Sequence, residues 1–207
     1  MSALFITFEG VEGSGKTTQA RQLVSTLSRD GRQVRLTREP DGTALGAAIR
    51  KLFETDPTPV AEVFLFLAAR HQHVAEVIRP ALARGEIVIS DRYTDATLAY
   101  QGYGRRGDVQ AIRQLNRLAS AGVAPDLTVL LDLDASAGMQ RIRGRAHDAF
   151  ERLGLEFHER VRQGYLEIAR EEKDRVLVVS GDQPETEVAA AILAGIRERL
   201  GGRLHAA

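Results

Sequence analysis

The chain contains no cysteine, no surplus of either charge and no long apolar run. Without cysteine, a disulfide framework and thiolate chemistry are excluded. Lysine plus arginine and aspartate plus glutamate both number 28, so no global basic field indicates a nucleic-acid partner. No apolar run approaches the ~18 residues of a membrane span, and the first residues follow a strand pattern rather than that of a leader. We therefore predict a cytoplasmic protein with no nucleic-acid and no membrane partner.

The pattern of apolar runs predicts one α/β domain over all 207 residues. Short β-branched or apolar runs alternate with helical stretches, which is typical of a parallel sheet with helices on both faces. Residues 60–84 are predicted to be a buried helix over at least half of their length. The arginine-rich stretch 134–160 is predicted to be a mobile connection, with a lid at about 141–152. Five strands are predicted, at residues 4–8, 34–37, 87–89, 127–133 and 176–179.

Residues 10–17 satisfy the pattern G-x-x-x-x-G-K-[ST] between a predicted strand and a predicted helix. Glycines let successive N–H groups turn toward an anion, and the helix N-terminus adds partial positive charge. Lys16 is predicted to reach the terminal phosphates of a nucleoside triphosphate, and the Thr17 hydroxyl to ligate Mg²⁺. The residues predicted to hold ATP in this loop are Gly10, Val11, Glu12, Gly13, Ser14, Gly15, Lys16, Thr17 and Thr18, with Glu12 also near the metal.

Charged residues follow the second and third predicted strands, where ligands bind to an open parallel sheet. Asp91 is predicted to hold Mg²⁺ or its water, and Arg92 to grip a phosphate with two N–H groups. A structural ion pair at the strand end is the alternative for Asp91. Arg38, at the end of the second strand, brings another arginine to the same rim.

Five motifs occur in order: Phe-Glu-Gly-x-Glu-Gly-x-Gly-Lys-Thr-Thr, Thr-Arg-Glu-Pro, Phe-Leu-Ala-Ala-Arg, Asp-Arg-Tyr and Ala-Tyr-Gln-Gly. Together they resemble the bacterial thymidylate kinases with lid arginines, over essentially the whole chain. The resemblance implies a P-loop three-layer sandwich around a five-stranded parallel sheet. It also implies the reaction ATP + dTMP → ADP + dTDP with Mg²⁺, and a homodimer, which the apolar helix at 60–70 suggests as well.

Two groups of residues are spaced to share a helix face. Phe66 and Arg70 are four residues apart, so one can stack on a pyrimidine while the other donates to its carbonyl edge; an ordinary core aromatic is the alternative for Phe66. Thr97, Tyr100 and Gln101 are spaced i, i+3 and i+4, and the resemblance assigns Thr97 to the pyrimidine edge and Tyr100 to the sugar. The predicted substrate-binding residues are Glu9, Arg38, Phe66, Arg70, Arg92, Thr97, Tyr100 and Gln101.

No general base is required, because a phosphate acceptor is already anionic and catalysis then depends on positioning and electrostatics. The predicted catalytic residues are Lys16, Arg92 and Arg145, the last being the lid arginine by resemblance, and Arg141 is predicted to contact ATP. Two positions depart from the family pattern: Ala149 replaces a lid arginine, for which Arg152 is a candidate substitute, and Ala96 replaces a serine. We expect activity to survive the change at Ala149.

Two other functions fit the phosphate loop. One is another nucleoside monophosphate kinase or a deoxynucleoside kinase, which would use Glu9 or Asp91 as a base for the sugar hydroxyl. The other is a nucleotide-dependent switch. A guanine-specific switch usually carries Asn-Lys-x-Asp, whereas the only asparagine, Asn116, lies in Asn-Arg-Leu-Ala. Partitioning ATPases place a lysine where Val11 and Glu12 stand, so both absences argue against a switch.

Overall fold

Five parallel strands form the centre of the protein, and the computed structural model describes residues 3–144 and 149–205 of the chain. The strands pair in the order β2-β3-β1-β4-β5. All the predicted strands are present, so the α/β fold with a five-stranded parallel sheet is confirmed. Their bounds are β1 Leu4–Glu9, β2 Val34–Arg38, β3 Ile87–Asp91, β4 Leu127–Asp132 and β5 Val176–Ser180.

Helices cover both faces of the sheet because strands in its centre are apolar on both sides. One face of β1 packs with α1 and α9, and the opposite side of the sheet packs with α3, α6 and α8. None of the helices in the described ranges has the length and hydropathy needed to cross a membrane. The helix bounds are α1 Lys16–Arg29, α2 Ala44–Leu52, α3 Pro59–His73, α4 Arg79–Ala83, α5 Thr94–Thr97, α6 Val109–Ala119, α7 Ala135–Arg141, α8 Leu155–Glu171 and α9 Glu185–His205.

Two helices contain wider π-helical turns. Val74–Ile78 joins α3 to α4, so the predicted buried helix at 60–84 is continuous, and Leu98–Gly104 extends α5. The extension of α5 carries Tyr100 and Gln101, which the sequence spacing had placed on an ordinary helix. Single π turns are often found at functional sites, and this one lies beside the cavity described below.

The predicted connection at 134–160 is shorter than expected, because α7 and α8 occupy both of its ends. Asp134 begins α7 by accepting hydrogen bonds from the backbone N–H groups of Ser136 and Ala137, at 2.9 and 3.3 Å. An aspartate at this position is a common helix start. The prediction of a connection over the whole stretch was therefore wrong at both ends, because α7 ends at Arg141 and α8 begins at Leu155.

Candidate active site

The phosphate loop joins β1 to α1 in a conformation that requires glycine. Gly13 has a φ of 71°, and a Cβ atom there would lie 2.2 Å from the carbonyl oxygen of Gly138 on α7. Gly10 has a φ of 144°, and its Cβ would lie 2.6 Å from the carbonyl oxygen of Leu131. The loop is therefore clamped between β4 and α7, and the Ser14 hydroxyl within it is buried without a hydrogen-bond partner among the described residues.

Lys16, Thr17 and Asp91 lie together at the mouth of this loop. Lys16 Nζ donates to the carbonyl oxygen of Val11 at 3.0 Å, and burial lowers the pKa of its ammonium group. The Thr17 hydroxyl donates directly to Asp91 Oδ2. Predicted metal ligands from β3 and α1 are therefore in contact, and all their donor atoms are the oxygens that Mg²⁺ prefers.

Mg²⁺ fits this pair because it usually takes one or two protein oxygens and completes its shell with phosphates and water. In the part of the chain that is described, no group of three or more histidine, cysteine or acidic residues is arranged to hold a metal ion. The described residues thus offer the Thr17 hydroxyl and the Asp91 carboxylate as oxygen ligands at this position.

A cavity of about 410 Å³ extends from the phosphate loop to a group of aromatic side chains. Lys16, Thr17 and Asp91 line its end at the loop. Six of the eight residues predicted to bind substrate line it as well, namely Arg38, Phe66, Arg92, Thr97, Tyr100 and Gln101. The cavity thus brings together residues from β2, α3, β3 and the π-helical extension of α5.

Arg92, Glu12 and Tyr100 form a linked group inside the cavity. Arg92 has a φ of 72°, an unusual left-handed conformation for a large residue that often marks a functional position. Its guanidinium is paired with Glu12 and lies 4.9 Å from the centre of the Tyr100 ring. The Tyr100 hydroxyl donates to Glu12 Oε1 at 2.8 Å. The group fixes one cation and one anion beside the phosphate loop.

Glu12 is held in its charged form by these neighbours. Burial opposes ionisation of its carboxyl group, but the positive charges of Arg92 and Lys16 outweigh burial and lower the pKa to about 2. An ionised Glu12 also keeps the Arg92 side chain in place between the loop and the acceptor end of the cavity.

Aromatic rings form the end of the cavity away from the phosphate loop. Phe66 stacks on Phe53 with ring centres 4.5 Å apart, and Phe150 lies at 5.8 Å from Phe66 and 6.0 Å from Tyr100. All four rings line the cavity, so Phe66 contacts the cavity as well as the apolar cluster of Ile49, Phe53 and Ala69. A flat, apolar ligand of the size of a pyrimidine suits this end.

Arg70 does not line the cavity, although the sequence predicted a contact with substrate. Its side chain is 1% exposed. Four of its five N–H groups are used: two by Glu39 Oε2 at 2.9 and 2.7 Å, one by the Tyr93 carbonyl at 2.8 Å and one by Asn116 Oδ1. Arg70 therefore stabilises the wall of the cavity behind Phe66. Its fifth N–H group has no hydrogen bond to another of the described residues.

Glu9, also predicted to bind substrate, lies completely buried at the end of β1 and outside the cavity lining. It accepts hydrogen bonds from the Tyr93 N–H at 2.7 Å and from the Tyr165 hydroxyl at 2.9 Å. Burial, with a smaller effect from Asp95, raises its pKa to about 8. The position of Glu9 thus gives it protein partners rather than an open face toward a ligand.

The predicted lid residues lie at both ends of the site. Arg141 donates to the Gly181 carbonyl at 2.9 Å and to the Gly13 carbonyl at 3.5 Å, so it connects the phosphate loop to the segment after β5. Arg152, at the other end, pairs with Glu54 at 2.8 Å. Arg145, the predicted catalytic arginine, lies outside the described residues.

Several side chains that shape the site were not singled out from the sequence. Phe53 and Arg50 line the cavity from the end of α2, three residues apart on one helix face, a spacing that could have indicated them. Tyr165 lies near Arg92, its hydroxyl 3.4 Å from Nη1. No local pattern connects these two residues, because they are separated by 73 positions in the chain.

Comparison with known proteins agrees with this geometry. The family model described as thymidylate kinase matches residues 8–192. The thymidylate kinases of Maridesulfovibrio salexigens and Deinococcus radiodurans are 46% and 48% identical, covering 96% and 95% of this chain and 97% of each relative. The crystal structure of thymidylate kinase from Ehrlichia chaffeensis superposes with a TM-score of 0.78 at 36% identity, covering 95% of this chain and 99% of that one. The chain belongs to the thymidylate kinase family.

Proposed function

We propose that the protein transfers the γ-phosphoryl group of ATP to dTMP, forming ADP and dTDP for dTTP biosynthesis. The observation that carries the proposal is the single cavity that joins the phosphate loop to the aromatic end. At that end, Thr97 Oγ1 and Gln101 Oε1 are buried and have no hydrogen-bond partner in the described part of the chain. Buried polar atoms rarely lack a hydrogen-bond partner, so we expect these two atoms to form hydrogen bonds with the edge of the acceptor base.

The donor ATP occupies the phosphate loop. Residues 10–17 surround its phosphates, with Thr18 in the first turn of α1 and the unpaired Ser14 hydroxyl inside the loop. The adenosine is proposed to lie beside Arg141, which donates to the carbonyls of Gly13 and Gly181. Thr17 and Asp91 would hold Mg²⁺, with Glu12 nearby, and the bound ion would neutralise charge on the phosphates of ATP.

The acceptor dTMP occupies the other end of the cavity. Its base stacks on Phe66, its edge meets Thr97 and Gln101, and its sugar lies against Tyr100. Arg92 and Arg38 face the 5′-phosphate. Arg70 lies behind Phe66 and is hydrogen-bonded to Glu39, Asn116 and the Tyr93 carbonyl, so it supports the wall of this end of the cavity without contacting the base.

Phosphoryl transfer in this site depends on charge and alignment. Two polyanions must approach, and Lys16, Arg92 and Arg38 place positive charge along the path that connects them. Arg145, the lid arginine by family resemblance, is proposed to supply the remaining charge. No proton needs to leave the acceptor, because its phosphate oxygens are already anionic.

The position of Glu9 argues against a deoxynucleoside kinase. Such an enzyme needs a carboxylate base next to the sugar hydroxyl. Glu9 is buried away from the cavity lining, and Asp91 is engaged by the Thr17 hydroxyl. Neither carboxylate is free beside the aromatic end where a nucleoside would lie.

The protein works as a homodimer in the cytoplasm. Apolar side chains are exposed on two helices that pack together: Val60 by 66% and Phe64 by 58% on α3, and Leu118 by 75% on α6. Large apolar residues exposed on neighbouring helices favour an interface between copies of the chain.

The decisive experiment is an acceptor screen. ADP release from ATP is measured with dTMP, dUMP, CMP, AMP and thymidine as acceptors. We expect dTMP to give the highest kcat/KM. Preferred phosphorylation of thymidine would indicate a nucleoside kinase, and rapid ATP hydrolysis with no acceptor would indicate a switch protein; either result would contradict the proposal.

A further inference from the structure

Gln101 has one fixed orientation of its side-chain amide. Its Nε2 donates to Glu62 Oε2 at 3.1 Å, and its Oε1 has no partner among the described residues. A carboxylate only accepts hydrogen bonds, so the NH₂ end of the amide must face Glu62. Because Gln101 lines the cavity, the carbonyl end is the acceptor that it offers to a ligand there.

Glu62 is itself held firmly in this position. It lies in the first turn of α3 and its side chain is 3% exposed. Arg105 donates to Oε2 through Nε at 3.3 Å and to Oε1 through Nη2. Arg105 in turn lies over the Phe157 ring, 5.5 Å from its centre. The carboxylate is therefore paired, and it cannot rotate to release the amide of Gln101 without leaving a buried charge unpaired.

We propose that Glu62 is a positioning residue that selects the base by fixing the amide of Gln101, an inference that rests on the proposed use of dTMP. The imide edge of thymine or uracil carries an N–H at position 3, which a carbonyl oxygen can accept. Cytosine has an acceptor nitrogen at that position and an amino group beside it. A cytosine base would therefore require the opposite orientation of the amide.

Reversal of the amide is unfavourable here because it would direct Gln101 Oε1 at the Glu62 carboxylate. Two acceptors would then face each other in a buried place, and Glu62 Oε2 would lose the hydrogen bond that it accepts from Gln101 Nε2. Glu62 thus excludes cytosine without touching it, which is specificity by an unfavourable contact with the wrong ligand. The Glu62–Gln101 pair does not contact the methyl group of thymine, so it does not distinguish dTMP from dUMP.

The test is Glu62→Gln, assayed as kcat/KM for dTMP, dUMP and dCMP. A glutamine at this position can donate to Oε1 of Gln101 and so permits the reversed amide. We expect the ratio of kcat/KM for dTMP to that for dCMP to fall by about tenfold or more. This is the usual effect when one hydrogen bond that distinguishes two substrates is lost. The preference for dTMP over dUMP and the KM for ATP should not change.

A matched control is available on α8. Glu159 Oε1 accepts from Gln163 Nε2 at 3.1 Å and lies 4.0 Å from Arg162 Nη1, which repeats the same three residue types away from the cavity. Glu159→Gln should leave both preferences at the wild-type value. A second control is Gln101→Leu, in whose background Glu62→Gln should have no further effect on the dTMP to dCMP ratio.

Should Glu62→Gln fail to fold, dTMP methylated at N3 tests the same contact by calorimetry. Wild-type protein should bind it at least about tenfold more weakly than dTMP, and Gln101→Leu should remove most of that difference. The inference is overturned by an unchanged dTMP to dCMP ratio in Glu62→Gln, or by equal binding of the methylated nucleotide. Wild-type turnover of dTMP is measured in parallel, and its absence would instead contradict the proposed function.

Discussion

The change Glu9→Gln tests whether a fully buried carboxyl at the base of the phosphate loop is protonated in the folded protein. Glu9 accepts from the Tyr93 N–H and the Tyr165 hydroxyl, and burial raises its pKa from 4.5 to about 8. Glutamine has the shape of the protonated carboxyl. It can still accept from Tyr93 and can donate to the oxygen of Tyr165, so the variant mimics the neutral state of the wild-type residue.

The pH dependence follows from proton linkage. Between pH 4.5 and about 8 the folded state holds the Glu9 proton while the unfolded state releases it, so wild-type stability falls as pH rises. The slope from this one group is about 1.4 kcal/mol per pH unit. Integrated from about pH 5.5 to about pH 7.5, wild-type protein loses about 2.5 kcal/mol that the glutamine variant does not lose.

Urea unfolding followed by far-ultraviolet circular dichroism measures this difference, since the chain has no tryptophan. Protein concentration is held constant, because association would change the apparent stability. Glu198→Gln makes the same chemical change at an exposed position and should show no such trend. A free-energy difference between Glu9→Gln and wild type that stays constant over this pH range would mean that Glu9 is ionised in the folded protein.

Three further variants test the site and the assembly. Lys16→Met should lower kcat by at least about 100-fold, because it removes the positive charge that stabilises the transferring phosphoryl group. Calorimetry should still detect dTMP binding. Arg145→Ala should lower kcat by about 1,000-fold if it is the lid arginine, and wild-type turnover would refute that assignment. Phe64→Glu places a charge on the exposed apolar face of α3 and should convert a dimer to a monomer in light scattering; an unchanged mass of two chains would locate the interface elsewhere.

The fold was predictable where the local sequence pattern alone determines whether a segment is a strand or a helix. Alternation of apolar runs with helical stretches gave all five strands, because a parallel sheet buried on both faces leaves uninterrupted apolar segments. The stretch 134–160 was mispredicted because its low apolar content outweighed a local signal, the helix start at Asp134. The π-helical turn at Leu98–Gly104 has no sequence signature of its own, since it depends on how Gln101 and its neighbours pack against other elements.

The candidate site was predictable only as far as the spacing of residues along a helix determines which way their side chains point. Phe66 and Arg70 share a helix face as predicted, yet Phe66 lines the cavity and Arg70 lies behind it. The difference arises because Glu39, directly after β2, and Asn116, from α6, accept hydrogen bonds from Arg70. Those partners come from distant parts of the chain, and no pattern within one helix could have shown that they meet.

The two glutamates of the phosphate-loop region show what such long-range partners do to chemistry. Glu9 and Glu12 are three residues apart, but burial raises the pKa of Glu9 to about 8, whereas Arg92 and Lys16 lower that of Glu12 to about 2 despite burial. These opposite shifts favour a protonated Glu9 beside an ionised Glu12, and in that state the pair carries one negative charge instead of two. A second negative charge would repel the phosphates of both nucleotides and compete for Arg92. A result of the Glu9→Gln test that shows a protonated Glu9 would therefore also explain how the cavity avoids a second negative charge next to two polyanions, even though Glu9 does not line it.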